Sequence, residues 1–469
     1  TVAAIPDPLP EKLRRDAGVV DLDAALRSIH FPHDELERDA ALHRLKFDEL
    51  LLFQLRRRRT EREAMPLSAS SIPFLESAVK RFIARLPFTL TAGQKRAAWD
   101  VLQDMMKEKP MHRLVEGDVG SGKTVVAAIA AWNALAAGWS VALMAPTEIL
   151  AHQHFTSFSQ WMRDTDTPVM LVTSGFHERS VHGTRMMLSR SALANALSAS
   201  DQPHIIIGTH ALLEERIPLD KLGLVVIDEQ QRFGVAQRDA LRKKNPAGHP
   251  LPHVLTLTAT PIPRTLALAL AGDITLSLIP MLPGGRKPIF TKLITPQQRV
   301  PLYRTVDAAC VRGRQAFVIA PLIDPSDKPG VTSVTELYEE LGTLLPNRKV
   351  GLLHGKFSSA EKERALADFA ARRTDILVAT SVIEVGIDVP NASLMVIEGA
   401  ERFGLAQLHQ IRGRVGRGQH QSYCYLVAGT MTPLAQKRLQ AVATTTDGFR
   451  LAELDLELRG PGDLAGVLQ

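Results

Sequence analysis

The sequence predicts an α/β protein with two parallel-sheet lobes in tandem, preceded by a helical segment and followed by a short helical hairpin. Three observations support this fold class. Short runs that are apolar throughout alternate with helical segments, which is typical of parallel strands covered by helices on both faces. The alternation occurs twice along the chain. A proline- and glycine-rich segment, residues 271–288, separates the two series, and we interpret it as a linker.

The composition restricts the class of protein. The chain has 469 residues, of which 45% are apolar and 23% are charged, and its formal net charge is +6, which suits a polyanionic partner. No apolar run approaches the ~20 residues that cross a bilayer, and no signal peptide is recognisable. Two cysteines, Cys310 and Cys424, are too few for a disulfide framework or a zinc site. We therefore expect a cytoplasmic protein with no membrane partner.

Residues 1–85 are predicted to be a helical N-terminal segment and linker. After Pro32 the chain runs for about 30 residues without glycine or proline, with leucines near helical spacing, so we expect one long helix. Its run Arg56–Arg59 has two interpretations, contact with phosphates or a solvated face, and like-charge runs favour the second.

Apolar runs place the strands of both lobes. Six of them predict a first lobe over residues 86–285: HRLVE, SVALMA, VMLVT, HIIIG, LVVID and VLTLT. Five more predict a second lobe over 286–430: AFVIA, KVGLLH, ILVAT, LMVIE and YCYLV. Residues 431–469 are predicted to form two short helices and a loop.

A phosphate-binding loop follows the first strand and opens a helix, which is the context that the GxxxxGK[ST] pattern requires. Its glycines let backbone amides surround phosphates at a helix N-terminus. Lys123 supplies a cation for the β- and γ-phosphates of ATP, and Thr124 offers a hydroxyl to Mg²⁺. The predicted ATP-binding residues are Gly117, Asp118, Val119, Gly120, Ser121, Gly122, Lys123 and Thr124.

Asp228 and Glu229 end the strand LVVID, and strand ends in such sheets lie at the ligand-binding edge. We predict that Asp228 holds Mg²⁺ and that Glu229 orients and deprotonates the attacking water. Upstream, Gln94 follows Thr91 in a capping-box pattern at a helix start. Its amide is also suited to read adenine, and the two roles are compatible.

The second lobe carries QLHQIRGRVGRG, residues 407–418, whose arginines are spaced by small residues. We predict that Arg414 and Arg417 reach a triphosphate across the cleft as arginine fingers do. For Arg412 we favour pairing with a local carboxylate. In the first lobe, the hydroxyls of Thr258 and Thr260 are candidates for linking Asp228 and Glu229 to the other lobe.

Near the end of the strand ILVAT in the second lobe, Gly386 allows close backbone approach, and Asp388 is placed to orient Arg417 or a ribose.

The motifs GDVGSGKT, APTEILAHQH, GTHALL, TATPIPRTL, LLHGK, ATSVIEVGIDVPNA and QLHQIRGRVGRG occur in that order. The chain therefore resembles the superfamily 2 DNA helicases, and the runs ERFG and LELRGPGDL are narrower signatures of the RecG family within them. The resemblance implies two RecA-like lobes that close on ATP and reopen on hydrolysis. It also implies a double-stranded DNA translocase that remodels stalled forks and Holliday junctions in recombination and repair.

The resemblance further implies site residues and partners. Candidates for contact with DNA backbone are Pro146, Thr147, Gly208, Thr209, His210 and His354. Positions that match the family's coupling hairpin and loop are Arg438, Arg459 and Gln469. Implied partners are duplex and branched DNA and the single-stranded DNA-binding protein, and the implied state is a monomer.

The family also has an oligonucleotide-binding wedge domain, and nothing before residue 86 resembles it, so we expect this chain to begin after the wedge and to end within the coupling segment. Three other functions compete: a transcription-repair coupling translocase, a non-motor nucleotide switch or protein remodeller, and a nucleic-acid-binding scaffold with an inactive ATP site. The arginines of the second lobe argue against the switch, and the complete set Lys123, Thr124, Asp228 and Glu229 argues against the scaffold.

Overall fold

A computed structural model describes residues 5–63, 68–198, 202–213, 219, 221–230, 233, 250–259, 274–280, 287–321, 333–380, 389–429 and 431–459. The chain divides into two compact units. One comprises Thr1–Leu67 with Thr265–Ile274, and the other comprises Ser68–Arg264 with Thr275–Gln469. Among the described residues, no helix has both the length and the apolar character needed to span a bilayer.

The described residues of the first unit form the helices α1 (Glu11–Ala17), α2 (Leu22–His30) and α3 (Glu35–Glu63). The predicted long helix is therefore confirmed as α3. Asp21 caps α2, because its side chain accepts a hydrogen bond from the backbone N–H of Asp23. The side chains of Arg56, Arg57 and Arg58 lie outside the described residues, so the two interpretations of this run stay predictions.

The second unit contains both predicted lobes. The sheet of lobe 1 has nine strands in the order β5-β4-β3-β6-β2-β7-β8-β1-β9. They are β1 (His112–Gly117), β2 (Ser140–Met144), β3 (Val169–Val172), β4 (His177–Val181), β5 (Thr184–Met187), β6 (Ile205–Gly208), β7 (Leu222–Asp228), β8 (His253–Thr258) and β9 (Thr275–Ile279). In the part of this lobe that the structure describes, the helices beside the sheet are α4 (Glu76–Arg85), α5 (Ala92–Met105), α6 (Lys123–Ala136), α7 (Glu148–Trp161) and α8 (Arg190–Ser198).

All six strands predicted for lobe 1 are present, and they pair in parallel as expected. The linker prediction for residues 271–288 is wrong in part, because β9 lies within it and pairs in parallel with β1 at the sheet edge. The strand β9, TLSLI, is buried on one face only: Ser277 and Ile279 are buried, while Leu278 is exposed. The antiparallel hairpin β4–β5 was also not predicted; its second strand is exposed throughout, so it carries no apolar run.

Lobe 2 has a six-stranded, fully parallel sheet in the order β10-β15-β14-β11-β13-β12. Its strands are β10 (Phe290–Ile294), β11 (Gln315–Ile319), β12 (Val350–Leu353), β13 (Ile376–Ala379), β14 (Ala392–Glu398) and β15 (Tyr423–Val427). Its helices are α9 (Arg299–Val311), α10 (Val334–Leu344), α11 (Ser359–Ala370) and α12 (Leu405–Arg412). The C-terminal hairpin consists of α13 (Pro433–Thr444) and α14 (Gly448–Arg459), as predicted.

Alternation along the central strands builds a core on each face of both sheets. On β2, Val141 and Leu143 enter one cluster while Ala142 and Met144 enter another. The strand β11 does the same in lobe 2. Because both faces are covered by helices, the carboxyl edges of the sheets are the places where polar side chains collect.

Candidate active site

The phosphate loop joins β1 to α6 and depends on left-handed glycines. Gly120 and Gly122 have φ of 80° and 85°, a conformation in which a side chain is strained. A Cβ at Gly122 would lie 2.2 Å from Nε2 of Gln94. The loop therefore leads into the N-terminus of α6 with its backbone close to a buried amide, an arrangement that presents N–H groups to an anion.

Lys123, the first residue of α6, is held inside this loop. Its Nζ donates to the carbonyl oxygens of Gly117 at 2.7 Å and Asp118 at 3.0 Å. Burial lowers the pKa of Lys123, partly offset by the nearby carboxylates of Glu229, Asp228 and Asp118. The ammonium group thus lies where a phosphate would bind, and two neutral carbonyl groups solvate it.

Gln94, near the start of α5, stabilises the phosphate loop through a hydrogen bond. The predicted capping box is confirmed, since Thr91 Oγ1 accepts from the Gln94 N–H and Gln94 Oε1 accepts from the Thr91 N–H. The amide Nε2 donates to the carbonyl of Ser121 at 2.7 Å. Both ends of this buried amide are therefore bonded to protein, and adenine reading stays a prediction.

Asp228 and Glu229 follow β7, next to β8 at the carboxyl edge. Asp228 Oδ2 lies 2.8 Å from Nε2 of His154, and Oδ1 accepts from the Glu229 N–H. Burial raises the pKa of Asp228, but the His154 hydrogen bond and nearby positive charge outweigh it, so the carboxyl stays ionised. Glu229 has a φ of 50°, which is strained for a residue with a side chain, and its Oε2 accepts from Ala259 N–H at 3.4 Å.

One cavity of about 290 Å³ is lined by predicted catalytic residues from both lobes. Lobe 1 lines it with Lys123, Thr124, Asp228 and Glu229, among others, and lobe 2 lines it with Arg414 and Arg417. Arg414 lies close enough to interact with Lys123 electrostatically, because its positive charge lowers the pKa of Lys123 further. A cavity with this many cations is suited to a polyphosphate.

The residues present fit a magnesium ion. Thr124 supplies a hydroxyl oxygen and Asp228 an ionised carboxylate to the same cavity. These are the hard oxygen ligands that Mg²⁺ prefers, and it takes one or two of them together with phosphate oxygens.

The expectation for Arg412 is wrong. Its guanidinium is buried, and none of its hydrogen bonds to described residues reaches a carboxylate: Nη1 donates to the carbonyls of Val442 and Thr445, and Nη2 lies 2.8 Å from Nδ1 of His409. The reason is tertiary, because α12 packs its C-terminal end against the hairpin helix α13, whose last carbonyls need donors.

Several residues expected near DNA also lie at the carboxyl edge of lobe 1. Thr147 follows β2 and caps α7, while Gly208 ends the neighbouring strand β6 and Thr209 and His210 follow it. Pro146 precedes the cap. Thr258 ends β8 and is buried. The nucleotide residues follow β7 and β1, so the two sets occupy adjacent halves of one edge.

In lobe 2, His354 follows β12 and its ring lies 4.1 Å from that of Phe357. On α13, Nη2 of Arg438 donates to the carbonyl of Glu401. Thr260, Gly386, Asp388 and Gln469 lie outside the described residues, as does the side chain of Arg459.

Comparison with known proteins places this site in a family. A DEAD/DEAH box helicase model matches residues 91–268, and a helicase conserved C-terminal domain matches 306–419. The ATP-dependent DNA helicase RecG of Synechocystis is 46% identical over 100% of this chain and 55% of its own length. The RecG of Bacillus subtilis is 44% identical over 99% of this chain and 67% of its own length.

This chain belongs to the RecG helicase family.

A solved structure of RecG bound to a three-way DNA junction superimposes with a TM-score of 0.81 and 39% identity, covering 99% of this chain and 60% of that one. The chain thus spans about half to two thirds of the length of the RecG relatives it matches. The RNA-bound helicase Dbp5 of yeast, 16% identical with a TM-score of 0.58, shares the fold.

Sequence reasoning missed two histidines of this RecG-family site. His154 lies between Leu150 and Phe158 at a spacing of four on the buried face of α7, and it holds Asp228. His409 lies on α12 and its Nε2 is 2.6 Å from Oδ1 of Asp118. A histidine on an otherwise apolar helical face was the available signal for the first; nothing local marked the second.

Proposed function

We propose that this chain is the motor of an ATP-driven DNA translocase that remodels stalled replication forks and Holliday junctions. The observation that carries the proposal is the single cavity in which Lys123, Asp228 and Glu229 of lobe 1 face Arg414 and Arg417 of lobe 2. A site divided between two lobes links the state of the nucleotide to the distance between them. The RecG relatives support DNA as the substrate.

In this proposal the γ-phosphate of ATP replaces the carbonyls of Gly117 and Asp118 as the partner of Lys123 Nζ. Glu229 orients a water and accepts its proton as it attacks the γ-phosphorus. Arg414 and Arg417 stabilise the charge that develops on the transferring oxygens. Mg²⁺, held by Thr124 and Asp228, would neutralise charge on the β- and γ-phosphates.

His154 keeps Asp228 in place while this occurs. When phosphate leaves, the arginines lose their anionic partner, so the attraction between the lobes weakens. DNA is held by the neighbouring half of the edge, where Thr147 and His210 lie, and contacts with the backbone suit a motor that must act on every sequence.

The test is steady-state ATP hydrolysis with no DNA, linear duplex, single strand and a model fork compared in parallel. We expect stimulation by DNA that is greatest with the fork. Equal stimulation by every duplex would support a translocase without fork preference, as expected for a transcription-repair coupling motor. A rate of ATP hydrolysis that no DNA changes would contradict the motor function and favour a nucleotide switch or protein remodeller.

Glu229→Gln gives a matched chemical test. The variant should still bind ATP, but its kcat should fall by about 10²- to 10⁴-fold because the water loses its base. Glu339→Gln makes the same change at an exposed position of α10 and should hydrolyse ATP normally. An unchanged kcat in Glu229→Gln would remove this residue from the mechanism. A role for the single-stranded DNA-binding protein and a monomeric state stay predictions.

A further inference from the structure

A line of polar side chains, of which His409 and Arg412 are buried, runs from the phosphate loop of lobe 1 to the C-terminal hairpin. It begins at Asp118, whose Oδ1 lies 2.6 Å from Nε2 of His409. The other ring nitrogen of His409, Nδ1, lies 2.8 Å from Nη2 of Arg412. A guanidinium only donates, so Nδ1 must accept. The ring proton therefore sits on Nε2, and His409 donates it to Asp118.

The far end of this line is the end of a helix. Arg412 Nη1 donates to the carbonyls of Val442, in the last turn of α13, and of Thr445, which caps that helix. The last carbonyls of a helix lack partners within it, and a cation there also matches the helix dipole. Arg412 is buried, so these hydrogen bonds are what make its charge tolerable.

At the other end of the line, Asp118 also contacts Lys123. The carbonyl of Asp118 accepts from Lys123 Nζ, and its Oδ1 accepts from the Val119 N–H at 2.6 Å as well as from His409. Burial raises the pKa of Asp118, but the hydrogen bonds from His409 and from the Val119 N–H, together with the charge of Lys123, lower it more, so the carboxyl is ionised.

The two lobes are in close contact at this point. A Cβ at Gly413, directly after α12, would lie 2.8 Å from Cβ of Val119. The backbone of lobe 2 therefore lies directly on the phosphate loop. Among the described residues, Val119 and Gly120 line the nucleotide cavity while Asp118 does not, so His409 holds the acidic group of the loop outside that cavity.

We infer that His409 is a positioning residue for the phosphate loop, and that Asp118, His409 and Arg412 form a relay that reports the state of the loop to the end of α13. This inference rests on the proposed ATP site. When Lys123 leaves the Asp118 carbonyl for a phosphate, the Asp118 peptide loses a partner and shifts, and His409 is the group that carries this shift into lobe 2.

Removing the imidazole frees the Asp118 carboxylate to turn toward the triphosphate, which it repels. We expect His409→Ala to raise KM for ATP about tenfold, equivalent to ~1.4 kcal/mol, with a smaller change in kcat. His409→Gln keeps an N–H at nearly the position of Nε2 and should restore most of the affinity. His152→Ala is the matched control, because its Nε2 lies 3.4 Å from Oε1 of Glu363 on α11 and it is another histidine between the lobes; its KM should not change.

The second readout is hydrogen exchange of the amides of residues 441–445 with and without the ATP analogue AMP-PNP and Mg²⁺. The wild-type chain should change exchange there by at least about threefold, and His409→Ala should not, although the analogue still binds at saturating concentration.

The outcomes separate the relay from the proposed function. If the wild-type chain neither binds nor hydrolyses ATP, the proposed function fails. If it does both, but His409→Ala shows wild-type KM or keeps the response at 441–445, the relay is wrong. A fall in stability with unchanged KM would make His409 a packing residue only, and this too would overturn the inference.

Discussion

Gly122 and Gly138 have nearly the same left-handed backbone, with φ of 85° and 88°, yet their surroundings differ completely. A Cβ at Gly122 would collide with the Gln94 amide, whereas a Cβ at Gly138, after α6, would meet nothing within 4 Å. Backbone strain alone is common to both positions and costs about 1 kcal/mol. The pair therefore separates the effect of strain from that of the contact.

We predict that Gly122→Ala lowers kcat/KM for ATP by about 100-fold. The added methyl group displaces the Gln94 amide and the phosphate loop, and a shift of about 1 Å in the bound phosphates is enough for a loss of this size. Gly138→Ala should lose only a little stability and keep its ATP hydrolysis. ATPase kinetics and thermal unfolding of both variants measure this. If kcat/KM fell equally in the two variants, backbone strain and not the Gln94 contact would determine the conformation of the phosphate loop.

At the scale of elements, the carboxylate of Asp7, which precedes α1, connects the three described helices of the first unit, and Arg14 of α1 donates to it at 3.3 Å. Arg44 of α3 is fully buried, and its Nη1 and Nη2 donate to the two oxygens of Asp7 at 2.6 and 2.7 Å. Asp7 also accepts from the Leu22 N–H, at the start of α2. The hydrogen bonds from Arg44, against some desolvation, hold the pKa of Asp7 far below its ordinary value of 3.8.

We predict that Asp7→Asn destabilises this helical unit by ~2 kcal/mol, because the buried Arg44 loses the carboxylate that both of its Nη atoms contact and, among the described residues, keeps only Asp48 as a charged partner. A carboxyl whose pKa is lowered by folding adds stability above its ordinary pKa and loses it below. The difference between wild type and variant should therefore narrow as the pH falls from 7 through 3.8. Amide exchange of α2 in the full chain measures this, and Asp16→Asn, exposed on α1, is the control. A gap that is constant with pH would contradict it.

At the scale of the whole molecule, the carboxyl edge of lobe 1 separates two functions by strand order. The strands β7, β8 and β1 carry the nucleotide residues, and the strands β6 and β2 carry the residues expected near DNA. The adjacent strands β2 and β7 join the two halves in one rigid sheet. In the proposed function, movement of lobe 2 against this sheet is the motion through which the nucleotide acts on DNA.

We predict that binding to a three-way junction depends on salt and not on sequence. If about four phosphates are neutralised, the affinity should fall ~100-fold between 50 and 200 mM salt. Junctions of unrelated sequence should bind within about twofold of one another. Fluorescence anisotropy over a salt series measures both, and a strong preference for one sequence would contradict backbone recognition.

The sequence by itself determined the fold class, eleven of the strands, the phosphate loop and the pair Asp228–Glu229. Each of these features depends on residues that are adjacent in the sequence, so a local pattern is enough to recognise it. Apolar runs report burial on both faces, and the loop pattern reports a backbone conformation. The exposed hairpin β4–β5 and the edge strands β9 and β10 were not predicted, since none of them is apolar throughout.

Only the tertiary structure decided which side chains hold the site together. His154 meets Asp228 across 74 residues and His409 meets Asp118 across 291, and no local pattern specifies either contact. The sequence predicted a local carboxylate partner for Arg412, but packing of α12 against α13 buries its side chain and places it against two helix-end carbonyls. Contacts between distant segments depend on how whole elements pack, and that packing is set by the sum of many apolar contacts rather than by the residues that finally meet.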